Sequence, residues 1–210
     1  MIISHRHKFI FFAVPKTATH TIREALRQHT DENDWEQQVL YGQQFLPFPE
    51  IARLNHGHIS AEQIRPHLDD DIWNEYFKFG FVRNPFDRFV STCFFLNRSN
   101  PNFAQTAVQF MKQRLPLPRF RQRILVKPQY QQLCWSGGDV ALDYVGRYES
   151  LQQSYDEICE RIGISGSELG VKNTSKHKTF DTYYDEDLRN SVAEFYAEDL
   201  RIFDYAFPSS

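Results

Sequence analysis

The chain has 210 residues, 41% hydrophobic and 24% charged, which excludes a disordered polypeptide and suffices for one substantial core. A formal net charge of −3 excludes a generally basic, nucleic-acid-binding protein, and the three scattered cysteines, Cys93, Cys134 and Cys159, form no Cys-x-x-Cys pair and read as core or surface thiols of a reducing compartment. No apolar stretch reaches the length of a secretory leader core or a membrane span, so the expectation is a soluble, cytoplasmic protein with a single domain over residues 1–210.

The first apolar run, "KFIFFAV" from Lys8 to Val14, predicts a buried strand. It stops at "VPKTATHT", and "TIREALRQH" from Thr21 to His29 then has helical spacing at Ile22, Ala25 and Leu26. A lysine-bearing loop between strand and helix suits an anion, because the first N–H groups of a helix lack intrahelical partners and carry the positive end of its dipole. The ATP-binding pattern G-x-x-x-x-G-K-[ST] is only half present. Lys16, Thr17, Thr19 and Thr21 remain, while Pro15, Ala18 and His20 stand without any glycine. The same residues also read as a plain polar connection with a threonine N-cap.

Residues 30–55 are polar and irregular, and "NHGHISAEQIRPHL" then passes from a short extended piece into a helix capped by Ser60. In extended chain the i, i+2 spacing of His56 and His58 puts both rings on one face. Histidine titrates near neutral pH and suits proton abstraction; the alternative is a capping or structural hydrogen bond. Together with His5 and His7 these residues lack the cysteine or carboxylate that would complete a metal-ligand pattern, so no metal site is expected.

"YFKFGFV", Tyr76 to Val82, predicts a second strand, and Pro85 suits the first turn of a helix beginning near Asn84. This places Arg83 directly after a strand and Ser91 within the following helix, where both can face one anion. A third strand is predicted at "LDYVGRY", Leu142 to Tyr148, followed by a helix over Leu151 to Arg161 and a last long helix from about Asp185 to Leu200. Strands alternating with helices predict an α/β domain whose mainly parallel central sheet is flanked by helices. Ligands of such sheets bind at the carboxyl ends of strands, where Lys16, Arg83 and Tyr148 stand. From Arg88 to Gly138 there is no Asp or Glu, and Arg119, Arg121, Arg123 and Lys127 make that span locally positive. It reads either as an approach for an anionic acceptor, such as a uronate-containing or sulfated glycan, or as a solvated basic face.

Taken together, these motifs resemble the sulfotransferases that use 3′-phosphoadenosine 5′-phosphosulfate (PAPS), especially the carbohydrate sulfotransferases with V-R-[ND]-P-[FY]-[DE]-R-x-V-S. Here Val82, Arg83, Asn84, Pro85, Phe86, Asp87, Arg88, Val90 and Ser91 fill that pattern. "VPKTATHTI" is similar to the family's 5′-phosphosulfate loop, "KPQ" at Lys127 to Gln129 to its central Pro-Gln motif, and "VGRYESL" to a strand-to-helix segment before the turn at Ile162 to Ile164. The resemblance spans nearly the whole chain.

The resemblance implies a P-loop-like sulfotransferase fold and transfer of a sulfuryl group from PAPS to a hydroxyl acceptor, most often on a glycan, with PAP as product and no metal. It assigns Lys16, Thr17, Ala18, Thr19, His20 and Thr21 to the 5′-phosphosulfate, with Lys16 at the leaving oxygen, and Arg83 with Ser91 to the 3′-phosphate. Tyr148 would stack on adenine, or else be an ordinary core aromatic, and Lys176 and Lys178 of "NTSKHKTF" would close over the 3′-phosphate, or else be solvated. His58, ahead of His56, takes the place of the catalytic base. His20 departs from the pattern, which has a small residue there. Two readings compete: an ATP-dependent kinase requiring Mg²⁺, and a nucleotide- or sugar-binding module without catalysis.

Overall fold

A computed structural model describes residues 1–39, 42–170 and 179–208. Five strands, β1 (Ile2–Ser4), β2 (Phe9–Phe12), β3 (Trp35–Glu36), β4 (Phe77–Val82) and β5 (Tyr144–Arg147), form one sheet in the order β3-β1-β2-β4-β5. The centre is parallel: β4 pairs with β2 on one side and with β5 on the other. β1 and β3 add an antiparallel edge. The fold is thus α/β with helices on a mixed sheet, and its three predicted strands are the parallel ones. The two antiparallel strands β1 and β3, of three and two residues, are too short to show a periodicity.

The described residues group into two compact units, one within Met1–Val82 and Tyr130–Val171, the other within Arg83–Gln129 and Lys172–Ser210. The first contains the sheet. β2 is buried at every residue, as expected of a strand covered on both faces, which is why it reads as a continuous apolar run. Phe9 and Phe11 of β2 and Phe79 and Phe81 of β4 form one face with Ile2. The helix Thr19–Arg27 covers it with Ile22, Ala25 and Leu26, and the helix Leu151–Ile162 with Tyr155, Ile158, Cys159 and Ile162. The latter helix stops at Gly163, whose φ of 69° is readily adopted only without a side chain. On the opposite face Gly80 leaves room for Leu133 and Leu142.

The second unit is helical. Phe86, Phe89, Val90 and Cys93 of the helix Pro85–Leu96 pack with Phe103 and Met111 of the helix Phe103–Arg114 and with Leu188 and Val192 of the helix Glu186–Phe195. The single C-terminal helix expected over Asp185 to Leu200 is two, because Tyr196 leaves helical geometry (φ −106°, ψ 23°) and a second helix runs over Ala197–Ile202. The Tyr196 hydroxyl donates to the Val126 carbonyl at 2.6 Å, a buried bond that accompanies the break. All three cysteines are buried, and burial pushes the Cys93 thiol well above its ordinary range. Among the described residues no helix is long and apolar enough to cross a membrane.

Candidate active site

The loop after β2 supplies by backbone conformation what its missing glycines would have supplied by flexibility. Lys16 (φ 68°) and Ala18 (φ 61°, ψ 26°) are both left-handed. Backbone of this kind turns successive N–H groups toward one point, the geometry of an anion-binding nest. The helix starts at Thr19, two residues earlier than its periodicity suggests, so Thr19, His20 and Thr21 form its first turn. That turn contains no acidic residue, and no side chain caps it. The threonine N-cap is therefore absent: Thr17, fully buried, instead donates its hydroxyl to the Val14 carbonyl at 3.0 Å and braces the loop from within. Because Ala18 holds a conformation that costs an L-residue about 1–2 kcal/mol, Ala18→Gly should raise stability by about 0.5–1 kcal/mol after the added unfolded-state entropy is subtracted. Equilibrium unfolding checks this; a net loss of stability would show that the methyl packs usefully.

His58 hangs from the strand that leads into this loop. Its Nδ1 lies 2.6 Å from the carbonyl oxygen of Ala13, the residue following β2. A carbonyl only accepts, so Nδ1 carries the proton and Nε2 keeps the lone pair. Burial, only partly offset by the Ala13 carbonyl and reinforced by the amino group of Met1, His56 and Arg23, pulls His58 down from 6.5 to about 3. Its ring is therefore neutral at physiological pH. The two histidine rings lie 6.1 Å apart, but they are not equivalent. His56 accepts the His58 main-chain N–H on its own Nδ1 at 3.3 Å, so its lone pair is spent within the chain and its proton sits on Nε2.

The His-Gly-His segment is held from behind by Gln37, which is completely buried just after β3. Its amide nitrogen donates to the carbonyls of His56 (2.9 Å) and Ile51 (3.0 Å), and its amide oxygen accepts from the Leu46 N–H (3.3 Å). Gly57 is required by space: a Cβ there would stand 2.2 Å from the Gln37 carbonyl oxygen. Gly57→Ala should therefore cost about 3 kcal/mol of stability and shift both histidines, since backbone rather than a flexible side chain must yield. Thermal unfolding together with the His58 side-chain NMR signals measures both effects; a fully stable Gly57→Ala variant with unmoved signals would contradict the steric argument.

The second motif is ordered by charge pairing in the second unit. Asn84 caps the helix Pro85–Leu96 by accepting from the Phe86 N–H at 3.0 Å, and Pro85 takes the N1 position. Arg83 is buried, and its guanidinium grips Asp87 through Nε and Nη2, both at 2.7 Å. The two-toothed edge that the sequence assigned to a phosphate thus already holds a carboxylate one turn along the helix. Ser91, one further turn along, is buried. Gln129 of the "KPQ" motif accepts the Arg83 N–H at 3.0 Å and donates to the Arg83 carbonyl at 2.9 Å, while its own main chain donates to the buried Asp199 at 2.8 Å. Arg88 is structural: its guanidinium donates to the Lys127 carbonyl at 2.5 Å and lies over the Tyr196 ring.

These two motifs lie within one continuous match. The sequence model of the sulfotransferase family fits residues 1–206. The chain belongs to the sulfotransferase family. No curated protein and no solved structure matches it. Membership of the family supports sulfuryl transfer in general and implies a sulfonate donor and a hydroxyl acceptor.

Tyr148 opens a short 3-10 turn directly after β5 and is half-buried. Arg119, Arg121, Arg123 and Lys127 are all exposed in the second unit. Arg121 is partly engaged there, donating to the Leu115 carbonyl at 2.7 Å and lying over the Phe195 ring. Lys176 and Lys178 lie outside the described residues. His5 and His7 do not join the His56–His58 pair: His5 packs on Trp35 and bonds the Tyr76 hydroxyl, and the His7 ring lies near His29. Among the residues that position the site, Asp87 was legible as the i+4 partner of Arg83. Gln37 and Asp199 left no signal, because a buried polar side chain has no spacing of its own.

Proposed function

We propose that this chain moves a sulfuryl group from PAPS to a hydroxyl of a carbohydrate, with His58 as general base and Lys16 at the leaving oxygen. The observation that carries the reading is the bond from His58 Nδ1 to the carbonyl of Ala13, three positions before Lys16. It ties the base candidate to the root of the loop and leaves Nε2 as the acceptor of a proton. The loop suits an anionic group by its left-handed residues, its uncapped and acid-free helix start, and Lys16.

In this mechanism His58 Nε2 takes the hydroxyl proton as the acceptor oxygen bonds to sulfur and the bond from sulfur to the bridging phosphate oxygen breaks. Lys16 neutralises the charge that gathers on that bridging oxygen, with PAP as the product. The Ala13 carbonyl supports the imidazolium so formed, and a bound polyanion would raise the affinity of His58 for its proton. Arg83 and Ser91 are assigned to the 3′-phosphate, with Asp87 sharing the guanidinium, and Tyr148 to the adenine. The exposed Arg119, Arg121, Arg123 and Lys127 support an anionic glycan as acceptor.

Calorimetry tests the donor. PAP should bind in the micromolar range without Mg²⁺, whereas tight ATP binding without PAP binding would overturn the reading in favour of a kinase. Binding of PAP without transfer to any hydroxyl would instead leave a nucleotide-binding module.

A further inference from the structure

We propose that Gln132 is a positioning residue for His58, fixing the ring against the end of β2 in the one tautomer that can accept a proton at Nε2. The inference rests on His58 being the base. Gln132 is buried in the short helix Tyr130–Leu133. Its amide nitrogen donates to the Ala13 carbonyl at 3.0 Å and to the Ile59 carbonyl at 3.3 Å. Both partners are carbonyls, so the orientation of the amide is fixed: its nitrogen faces them, with one N–H for each.

Those two carbonyls are not arbitrary ones. Ala13 is the residue whose oxygen receives His58 Nδ1 at 2.6 Å, and Ile59 is the residue following His58. One side chain therefore fastens the peptide carrying the base and the peptide leading into the Lys16 loop at the same point. Without it, the Ile59 carbonyl loses its buried donor, and besides the hold of Gln37 on the His56 carbonyl it is the His58 ring itself that ties this peptide to the end of β2. The Nδ1 bond is short and holds the ring only while the Ala13 oxygen stays opposite it. Leu133, the next residue of the helix, packs close to Gly80 on the face of the sheet, so the amide is presented from an anchored element.

The test removes both donors while keeping bulk. In Gln132→Met, ¹⁵N-histidine NMR should show His58 moving from pure Nδ1–H toward a mixture of tautomers. In the same variant kcat with PAPS and a uronate-containing oligosaccharide should fall about tenfold, while PAP affinity stays within about twofold. A purely structural role would not move the tautomer. If the Met variant fails to fold, Gln132→Asn, which keeps an amide but cannot span both carbonyls, decides with the same signature. A folded variant with unchanged tautomer and kcat overturns the proposal. His58→Ala is measured alongside: full turnover there defeats the base reading itself, whereas loss of turnover beside an unaffected Gln132 variant defeats only the positioning role.

Discussion

Lys16→Ala is expected to lower kcat about a thousandfold while PAP binding weakens at most about tenfold. The asymmetry follows from where charge develops. In the proposed reaction the bridging oxygen between sulfur and phosphorus bears little charge in the ground state, and the anion as a whole is assigned to the first-turn N–H groups and the loop whose Lys16 and Ala18 are left-handed. As the bond to sulfur breaks, that oxygen acquires nearly a full negative charge, and a lysine aimed at it contributes most at that moment. Alanine keeps the Cβ and therefore the same left-handed backbone penalty at φ 68°, so the loss would not come from a rebuilt loop. Lys16→Arg should recover only part of the rate, because a guanidinium is broader and its charge more spread. The measurement is steady-state kinetics paired with PAP calorimetry; a proportionate loss in both quantities would mean that Lys16 binds the nucleotide uniformly and takes no special part in transfer.

His58→Ala should lower kcat by about a hundredfold to ten-thousandfold, with donor affinity nearly unchanged. The pH dependence is as informative as the size of the loss. In the free protein His58 sits at about 3 because burial disfavours the charged ring, so the acid limb of kcat/KM should lie far below the ordinary 6.5. With the polyanion bound its affinity for a proton rises, so the acid limb of kcat should lie higher than that of kcat/KM. His58→Ala should abolish both limbs, and an intact limb in that variant would move the role to another group.

The same depression links His58 to folding. The unfolded chain binds a proton near pH 6.5 and the folded chain not until about pH 3. Between those values the unfolded state holds the extra proton, so the contribution of His58 to stability is present above pH 6.5 and is lost as the pH falls through this window. His58→Ala should therefore flatten the fall of stability over the window, as measured by urea unfolding at a series of pH values.

Much of the fold was legible because its signals are local. The Phe-rich strands at Phe9–Phe12 and Phe77–Val82 are largely buried runs, and the Ser60 cap and the Asn84-Pro85 start act through their immediate neighbours. The strands β1 and β3 were not legible, since pairs and triplets of residues become strands only when a neighbour offers an edge, β2 to β1 and β1 in turn to β3. The break at Tyr196 was hidden for a similar reason: helical spacing runs through it, and its buried hydroxyl bond to Val126 appears only on folding.

The site divides along the same line. By itself the sequence determined the order of strand, lysine loop and helix, the pattern from Val82 to Ser91, the i, i+2 pair of histidines, and through them the sulfotransferase family. Residue type and spacing suffice for these because each is a property of contiguous chain. Only the tertiary structure decided how a loop without glycine takes glycine's conformation at Lys16 and Ala18, that Arg83 gives its fork to Asp87, and which histidine keeps its Nε2 lone pair. Those outcomes depend on carbonyls and carboxylates brought up from elsewhere in the chain. The carbonyl of Ala13 has no side-chain signature at all, yet it sets the proton of a histidine forty-five positions away.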